Sequence, residues 1–284
     1  MSVSGSVANF ETDETTASSA RSDRILQAAA DLVDGLRWSR LWATLAHQDL
    51  KLRYRGSILG PFWQTITTAV MIGALGFIYA ELFHTPLEDY LPPLAAGLVF
   101  WQFTSGMITE GCTTFYSVQG IIQQVKLPLS LHAYRLVYRN FLILLHNFVI
   151  FPIVFAIFPK PVVWLQVFGL GPGLILILLN GVWVSIFLGM ISARFRDVPP
   201  IVGSIVQVVF FITPIFWPAA ALGRHRWLVD FNPIYAAIDI LRAPLLGQPT
   251  EPHSWLILAV VTVLGCTGTF FFFARFRSRI AYWA

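Results

Sequence analysis

Six stretches of about 20 or more residues contain no Asp, Glu, Lys or Arg, and they define the expected architecture. They are residues 56–80, 90–109, 140–159, 161–193, 198–223 and 252–274. A helix needs about 20 apolar residues to cross the roughly 30 Å hydrocarbon core of a bilayer, so each stretch is long enough. The fourth is too long for one straight span, and its glycines and proline at 169–173 predict a helix from Pro172 to Ser192. The pattern therefore predicts an all-α integral membrane protein with six transmembrane helices per subunit.

The distribution of basic residues between these stretches predicts the orientation. Of the 19 Lys and Arg residues, fifteen lie on the side that holds both termini and four on the other side. Because cytoplasmic segments of membrane proteins carry the excess of Lys and Arg, both termini are predicted to be cytoplasmic.

The segment before the first apolar stretch divides into two parts. Residues 1–35 are predicted to form a polar, disordered cytoplasmic tail, and residues 36–58 an amphipathic helix in the membrane interface. Its apolar face carries Trp38, Leu41, Trp42, Leu45 and Leu52, and its opposite face carries Arg40, Thr44, His47, Lys51 and Arg55. A helix packed on a soluble domain is the alternative. Residues 59–284 are then expected to form the six-helix transmembrane domain.

Composition agrees with a membrane protein and limits the chemistry. The chain is 56% hydrophobic and 12% charged, against roughly 25% charged residues in a soluble domain. The net charge of +4 does not indicate a nucleic-acid partner, because the basic residues lie between apolar runs. Cys112 and Cys266 lie in apolar stretches, where small core residues are expected rather than a metal site or a disulfide.

The chain contains no recognisable catalytic or nucleotide-binding motif. No Lys follows a Gly, so a phosphate-cradling loop of the G-x-x-x-x-G-K-[ST] type is excluded. No nucleophile–base pair is apparent either, so we expect a protein that is not an enzyme and binds no cofactor itself. Any ATP-driven work would come from a separate subunit.

Glu110 is the acidic residue embedded in the apolar part of the sequence, and His146 and Asn147 lie in the third predicted span. Ionisable residues in membranes often serve ion or proton pathways. A helix–helix hydrogen bond or a position near the headgroups explains Glu110 equally well, and these interpretations stay open.

Four stretches, in order along most of the chain, carry a family resemblance. They are LRYRGSILGPFW (52–63), GLVFWQFTSGMITEG (97–111) with GIIQQVKLPLSL (120–131), ARFRDVPPIVGSIVQVVFFITPIFWP (193–218) and FNPIYAAIDILRAPLLG (231–247). Together they resemble the membrane subunit of bacterial ABC exporters for lipid-linked polysaccharides, the O-antigen, teichoic-acid and capsule export permeases (Wzm-like, type two). The resemblance implies a homodimer in the bacterial inner membrane. It also implies two copies of an ABC ATPase that binds ATP and Mg, and a lipid-linked polysaccharide as cargo.

The resemblance also implies a coupling helix for the ATPase in the loop 120–130. The corresponding residues are Ile121, Ile122, Gln123, Gln124, Val125, Lys126, Leu127 and Pro128. A short helix over 121–126 would present apolar side chains, and Pro128 would end it. Relatives often have Lys where this chain has Gln123 and Gln124. A solvated loop that ends at a proline is the alternative.

The substrate chemistry suggests two further groups of residues. A lipid pyrophosphate needs cations at the leaflet that it leaves, and the candidates are Arg53, Tyr54, Arg55, Leu59 and Gly60, with Gly60 and Pro61 forming a hinge between surface helix and span. Sugars stack on aromatic faces, and the candidate channel residues are Phe100, Trp101, Phe103, Phe115 and Tyr116. The alternative for these rings is an ordinary position at the membrane interface.

The remaining polar residues are expected to be structural. Arg194, Arg196 and Asp197 belong to the four-residue loop 194–197, which should anchor two helix ends to headgroups and to one another. Residues 219–250 are too interrupted to span and predict short re-entrant or interfacial helices, with Asn232 as an N-cap and Pro244 near the end. Asp239 and Arg242, at i,i+3, can pair.

Two other functions remain compatible with the sequence. One is a type-two ABC permease for a small hydrophobic molecule or lipid, and the other is a membrane scaffold or a partner in glycan biosynthesis. An ATPase that copurifies with the chain would exclude the scaffold, and hydrolysis stimulated by glycan would distinguish the two cargoes.

Overall fold

The computed structural model describes residues 4–60, 62–159 and 164–283, and every regular element in these ranges is helical. The α-helices are α1 Ser4–Arg37, α2 Ser39–Arg53, α3 Phe62–Leu82, α4 Leu87–Gly111, α5 Gln119–Gln124, α6 Ser130–Asn147, α7 Ile150–Ile157, α8 Trp164–Val167, α9 Leu170–Arg194, α10 Val198–Ile212, α11 Trp227–Asp230, α12 Pro233–Leu245, α13 Pro252–Phe276 and α14 Ile280–Trp283. Short 3₁₀ turns lie at Tyr116–Val118, Ala219–His225 and Arg277–Arg279.

Helices occupy all six predicted stretches, and four of the described segments are long and apolar enough to cross a membrane. These are Phe62–Leu82, Ser130–Ile157, Leu170–Arg194 and Pro252–Trp283. The other two positions hold α4, with 25 residues, and α10, with 15 residues. The structure therefore confirms an all-helical, multi-span chain, and the count of six spans stays a prediction.

Helix α9 lies at the centre and packs against α4, α6, α12 and α13. Small residues allow this close packing, as is common between helices in membranes. A Cβ on Gly181 would come within 2.4 Å of Met107 Sδ, and a Cβ on Gly111 would lie 3.2 Å from the Ser185 Cα. The apolar core around these contacts is built from α4, α6, α9 and α12.

The N-terminal segment differs from the predicted disordered tail. Residues 21–35 belong to α1, where Ala28 and Asp31 are buried. This helix packs on α6 and α13. Disorder was expected because the segment is polar, but its few apolar residues and Asp31 find partners on elements that follow much later in the chain.

The basic helix before the first span is α2, and one of its faces is protein-covered. Ala46 and Leu50 are buried, and α2 packs against α6, whereas Leu52 on the predicted apolar face is 65% exposed. After α2 the chain turns with positive φ at Gly56 (83°) and Gly60 (56°), which glycine adopts readily. The predicted glycine hinge is therefore present, and Pro61 lies outside the described residues.

The two ends of the bundle are distinguished below by their residues. The basal end holds Asp31, α5, the start of α6 and Arg277, which lie together. The apical end holds α11, α12 and the start of α13.

Candidate functional site

Glu110 is the centre of an ion network at the basal end of α4. Its Oε1 accepts a hydrogen bond from Arg53 Nη2 at 2.7 Å. Its Oε2 accepts from Arg139 Nη2 at 2.8 Å and from Asn140 Nδ2 at 2.9 Å. The carboxylate thus joins α2, α4 and α6, so of the interpretations left open for Glu110 the geometry supports a bond between helices.

Asp49 on α2 forms the second half of the network. It accepts a two-point contact from Arg135, with Nε at 2.7 Å, and one from Arg139 Nη1 at 2.9 Å. Burial alone would raise the pKa of Asp49, but the hydrogen bonds and charges of the two arginines outweigh it and lower this pKa. Asp49 is therefore a carboxylate at neutral pH and fixes the register of α2 on α6.

A separate cluster around Asp31, here the Asp31 clamp, holds three basal segments together. The Asp31 carboxylate is fully buried and accepts from Leu129 N at 3.1 Å, Ser130 N at 2.9 Å and Arg277 Nε at 2.8 Å. Ser130 Oγ donates in return to the Asp31 carbonyl at 2.7 Å. Asp31 thus caps the first turn of α6 and connects it to α1 and the C-terminal segment.

The predicted coupling segment forms a short helix, α5, that begins at Gln119 and ends at Gln124, two residues earlier than expected. Ile121 and Val125 are 41% and 50% exposed, and Ile122 packs partly against the buried basal cluster of Phe115 and Met190. The chain then runs past Pro128 into the Asp31 clamp. The segment thus contains a short helix with Ile121 exposed on it and Val125 exposed directly after it, and its role stays a prediction.

The residues expected to capture a pyrophosphate are not equivalent. Burial alone would lower the pKa of Arg53, but the charge and the hydrogen bond of the Glu110 carboxylate outweigh it and raise this pKa. The Tyr54 hydroxyl donates to Gln64 Oε1 at 3.1 Å and connects the hinge to α3. Arg55 is exposed, as is Leu59 at 44%. Of this group, Arg55 presents the accessible cation.

Most of the predicted channel aromatics lie in the core of the chain. Phe100, Trp101, Phe103 and Phe115 are between 0% and 8% exposed. Trp101 packs on Phe210, with ring centroids 5.2 Å apart. A buried ring offers no face to a passing sugar, so in this conformation the channel prediction is wrong for these four. Tyr116 is partly exposed, and its ring lies 5.2 Å from the Arg196 guanidinium.

The polar residues of the third span contribute to packing between helices. Asn147 Oδ1 accepts from Thr65 at 2.9 Å, and Gln102 Oε1 accepts from Thr68 at 2.9 Å and from Asn147 Nδ2 at 3.4 Å. His146 Nδ1 lies 2.7 Å from the Leu142 carbonyl oxygen. The contacts of Asn147 and Gln102 join α3, α4 and α6, whereas the His146 contact stays within α6.

At the apical end the described part of the structure contains the predicted helix cap but not the predicted ion pair. Asn232 Oδ1 accepts from Ile234 N at 3.0 Å and Tyr235 N at 3.3 Å, which confirms the N-cap of α12. Asp239 instead accepts from Ser254 Oγ at 2.9 Å, and Arg242 donates to the Pro214 carbonyl at 3.0 Å. These partners lie on other segments, so the described residues do not form the expected Asp239–Arg242 pair.

The loop at 194–197 anchors the basal end through aromatic contacts. The Arg194 guanidinium lies 5.2 Å from the Trp283 ring in α14 and 5.3 Å from the Phe195 ring. With Arg196 over Tyr116, the loop connects the end of α9 to the C-terminal helix and to the segment before α5. Asp197 is the residue before α10, and its side chain makes no capping bond there.

Two carboxylates and one imidazole lie close together at the apical end. Asp230, Glu251 and His253 could hold a metal ion, but Arg226 already pairs with Asp230 at 3.2 Å and Glu251 at 2.6 Å. Two of these groups are carboxylates and the third an imidazole, and a cation there would compete with the guanidinium.

Sequence reasoning missed Asp31, Asp49, Arg135 and Arg139 as a group. The spacing of Arg135 and Arg139, one helical turn apart on an otherwise apolar helix, was the available signal. Their acidic partners lie 29 to 90 positions away in the sequence, at Glu110 and Asp49, so spacing could not identify them.

Comparison with known proteins gives a consistent result. A family described as "ABC-2 type transporter" matches residues 40–246, which is more than half of the chain. Two Klebsiella pneumoniae proteins, both named O-antigen export system permease protein RfbA, are 25% and 23% identical over 209 residues, covering 70% of this chain and 77% of each relative. A Myxococcus xanthus protein of the same name is 25% identical over 234 residues, covering 78% of this chain and 86% of the relative.

Proposed function

This chain belongs to the ABC-2 type transporter family, and we propose that it exports a lipid-linked polysaccharide, such as O-antigen on a polyprenyl pyrophosphate, across a bacterial inner membrane. The chain is a transporter membrane subunit and not an enzyme. The observation that carries the cargo proposal is that the similar proteins from Klebsiella pneumoniae and Myxococcus xanthus are all named O-antigen export permeases.

The proposed assembly is a homodimer of six-span subunits with two copies of an ABC ATPase that binds ATP and Mg. Both termini lie in the cytoplasm, so the basal end faces the ATPase and the apical helices α11 and α12 face the outside. The excess of Lys and Arg at the basal end supports this orientation. Helix α2 lies at the cytoplasmic interface with its exposed side in the headgroups.

Helix α5 is proposed as the contact with the ATPase. Ile121 and Val125 present apolar surface there, and the preceding turn and the following Asp31 clamp fix both ends of the segment. Movement of α5 would therefore reach α1, α4 and α6 together.

The test is copurification of the chain with the ATPase from its own host, followed by ATP hydrolysis in lipid. We expect the lipid-linked glycan to stimulate hydrolysis. Ile121→Asp and Val125→Asp each place a charge in the contact and should lower the ATPase recovered about tenfold, whereas Tyr282→Asp, at a 90% exposed basal residue, should not. Stimulation by a small hydrophobic molecule instead of the glycan would establish the alternative cargo, and the absence of any ATPase partner would refute an ABC transporter role for the chain.

Arg53, Tyr54, Arg55, Leu59 and Gly60 are proposed as the place where the lipid pyrophosphate first meets the protein. Arg55 is the accessible cation, Arg53 and Tyr54 hold the hinge in place, and Gly60 supplies the positive φ of the turn.

Arg55→Gln should lower export about tenfold, because a charge-assisted contact with phosphate is lost. The measurement is surface glycan per unit of membrane-inserted exporter. Arg40→Gln, which removes the same charge from an exposed position on α2, is the control and should export normally. If Arg55→Gln exported as much glycan as Arg40→Gln and the wild type, Arg55 would not be part of the capture site.

A further inference from the structure

A cavity of about 220 Å³ lies at the basal end beside the ion network. Its walls come from α2, from the start of α6 and from the segment that follows α4, with His132, Arg135, Arg139, Asp49 and Ser117 among its lining residues. This volume is well above the roughly 10–15 Å³ that one water requires, so the cavity can hold a group of several heavy atoms.

Three buried polar atoms of these residues have no hydrogen-bond partner among the described residues. They are Arg135 Nη1, Arg139 Nε and His132 Nδ1. His132 is only 4% exposed, and the Arg135 and Arg139 side chains are 17% and 16% exposed. Buried donors are nearly always satisfied in folded proteins. Two guanidinium N–H groups and one imidazole nitrogen, on three residues that line one cavity, therefore point to an acceptor ligand at this place.

The charge around the cavity favours an anion. The network contains three guanidinium groups, of Arg53, Arg135 and Arg139, against the two carboxylates of Asp49 and Glu110. One positive charge is left over. Asp49 lines the cavity, but its carboxylate already accepts from both arginines, and so it does not occupy their remaining donors.

We propose that this cavity is a binding site for a phosphate or pyrophosphate group. A tetrahedral oxyanion offers several acceptor oxygens, which match two guanidinium edges and the N–H tautomer of His132. The assignment of the ligand to the pyrophosphate of a lipid-linked glycan rests on the proposed function. The site would lie behind Arg55, connected to the hinge through Arg139, Glu110 and Arg53.

The position of the cavity gives its occupancy a direct consequence. Ser117 and Val118 line it and are followed at once by α5, which begins at Gln119. A bound anion would therefore stabilise the end of the segment that leads into the proposed ATPase contact.

The test measures binding to the full-length permease in nanodiscs without the ATPase. Inorganic pyrophosphate should raise the melting temperature of the wild type above that in chloride of equal ionic strength, since a ligand that binds only the folded state stabilises it. His132→Leu and Arg135→Lys should each weaken binding about tenfold to hundredfold, because each removes one buried donor. His132→Asn, which keeps an amide near the position of Nδ1, should bind within about threefold of the wild type.

Each outcome decides the proposal. No stabilisation of the wild type by pyrophosphate or phosphate, or equal binding by wild type, His132→Leu and Arg135→Lys, overturns the site. Arg135→Lys keeps a cation beside Asp49 and so provides the answer if His132→Leu does not fold. The last measurement uses nanodiscs that contain a polyprenyl pyrophosphate. If this lipid competes with soluble pyrophosphate, the ligand is a lipid headgroup; if it does not compete, the ligand is a free phosphate. Anion binding without glycan export would refute the proposed function and support the anion site. Glycan export without anion binding would refute the anion site and support the proposed function.

Discussion

Replacing Asp31 with alanine is expected to destabilise the protein by about 3–5 kcal/mol, the range for removing one member of a buried ion pair. The carboxylate is fully buried and accepts two backbone N–H groups and the Arg277 guanidinium. Without it the two backbone N–H groups lose their acceptor and the partly exposed Arg277 loses its counter-charge. The measurement is the free energy of unfolding of the purified permease in detergent, with recovery of the ATPase as a second readout.

The control for Asp31 lies one turn further along α1. Asp34 is half exposed and pairs only weakly with Arg37, at 3.6 Å, so Asp34→Ala should change the stability by less than about 1 kcal/mol. Arg277→Gln should cost less than Asp31→Ala because the arginine is partly exposed. Equal stability of Asp31→Ala and Asp34→Ala would show that the clamp does not hold the basal end together.

Glu110→Ala should give the second largest loss, about 2–3 kcal/mol, together with at least a tenfold loss of export. The value is below that for a fully buried pair because the Glu110 and Arg53 side chains are 24% and 39% exposed. Removal of this carboxylate leaves Arg53 and Arg139 without their shared partner and separates α2 from α4. Melting temperature and surface glycan are the measurements.

Glu88→Ala, at an exposed acidic residue in the first turn of α4, is the control for Glu110. Its loss should cost no more than about 1 kcal/mol from the helix dipole. If Glu110→Ala exported glycan normally and had the melting temperature of the wild type, the network would contribute to neither stability nor transport.

Sequence reasoning succeeded where local chemistry decides the structure. The apolar stretches, the glycine turn at Gly60 and the cap by Asn232 depend on residues within a few positions of one another, and the structure has all three. The short helix near Ile121 belongs to the same group. This helix begins and ends two residues earlier than predicted. Its start follows a turn and has no side-chain cap, so no signal in the sequence marks it.

The predictions that failed share a physical cause. Whether a side chain is buried depends on partners that are distant in the sequence. A ring at Phe100 or Phe115 looks the same in the sequence whether it faces a channel or another helix. The polar sequence of residues 21–35 predicts disorder, and only the contacts of Asp31 with Leu129 and Arg277 show that this segment is ordered. Arg53 resembled a free cation, and only the structure showed that it already pairs with the Glu110 carboxylate.

The Asp31 clamp also implies an order for biogenesis. Its partners stand 98, 99 and 246 positions later in the chain, so ribosomes release Asp31 long before the groups that satisfy it. The buried carboxylate is complete only after the last span has been synthesised and its tail has returned to the same side. A nascent chain cut short before Arg277 therefore keeps the two backbone donors of Asp31 but lacks the guanidinium that balances its charge.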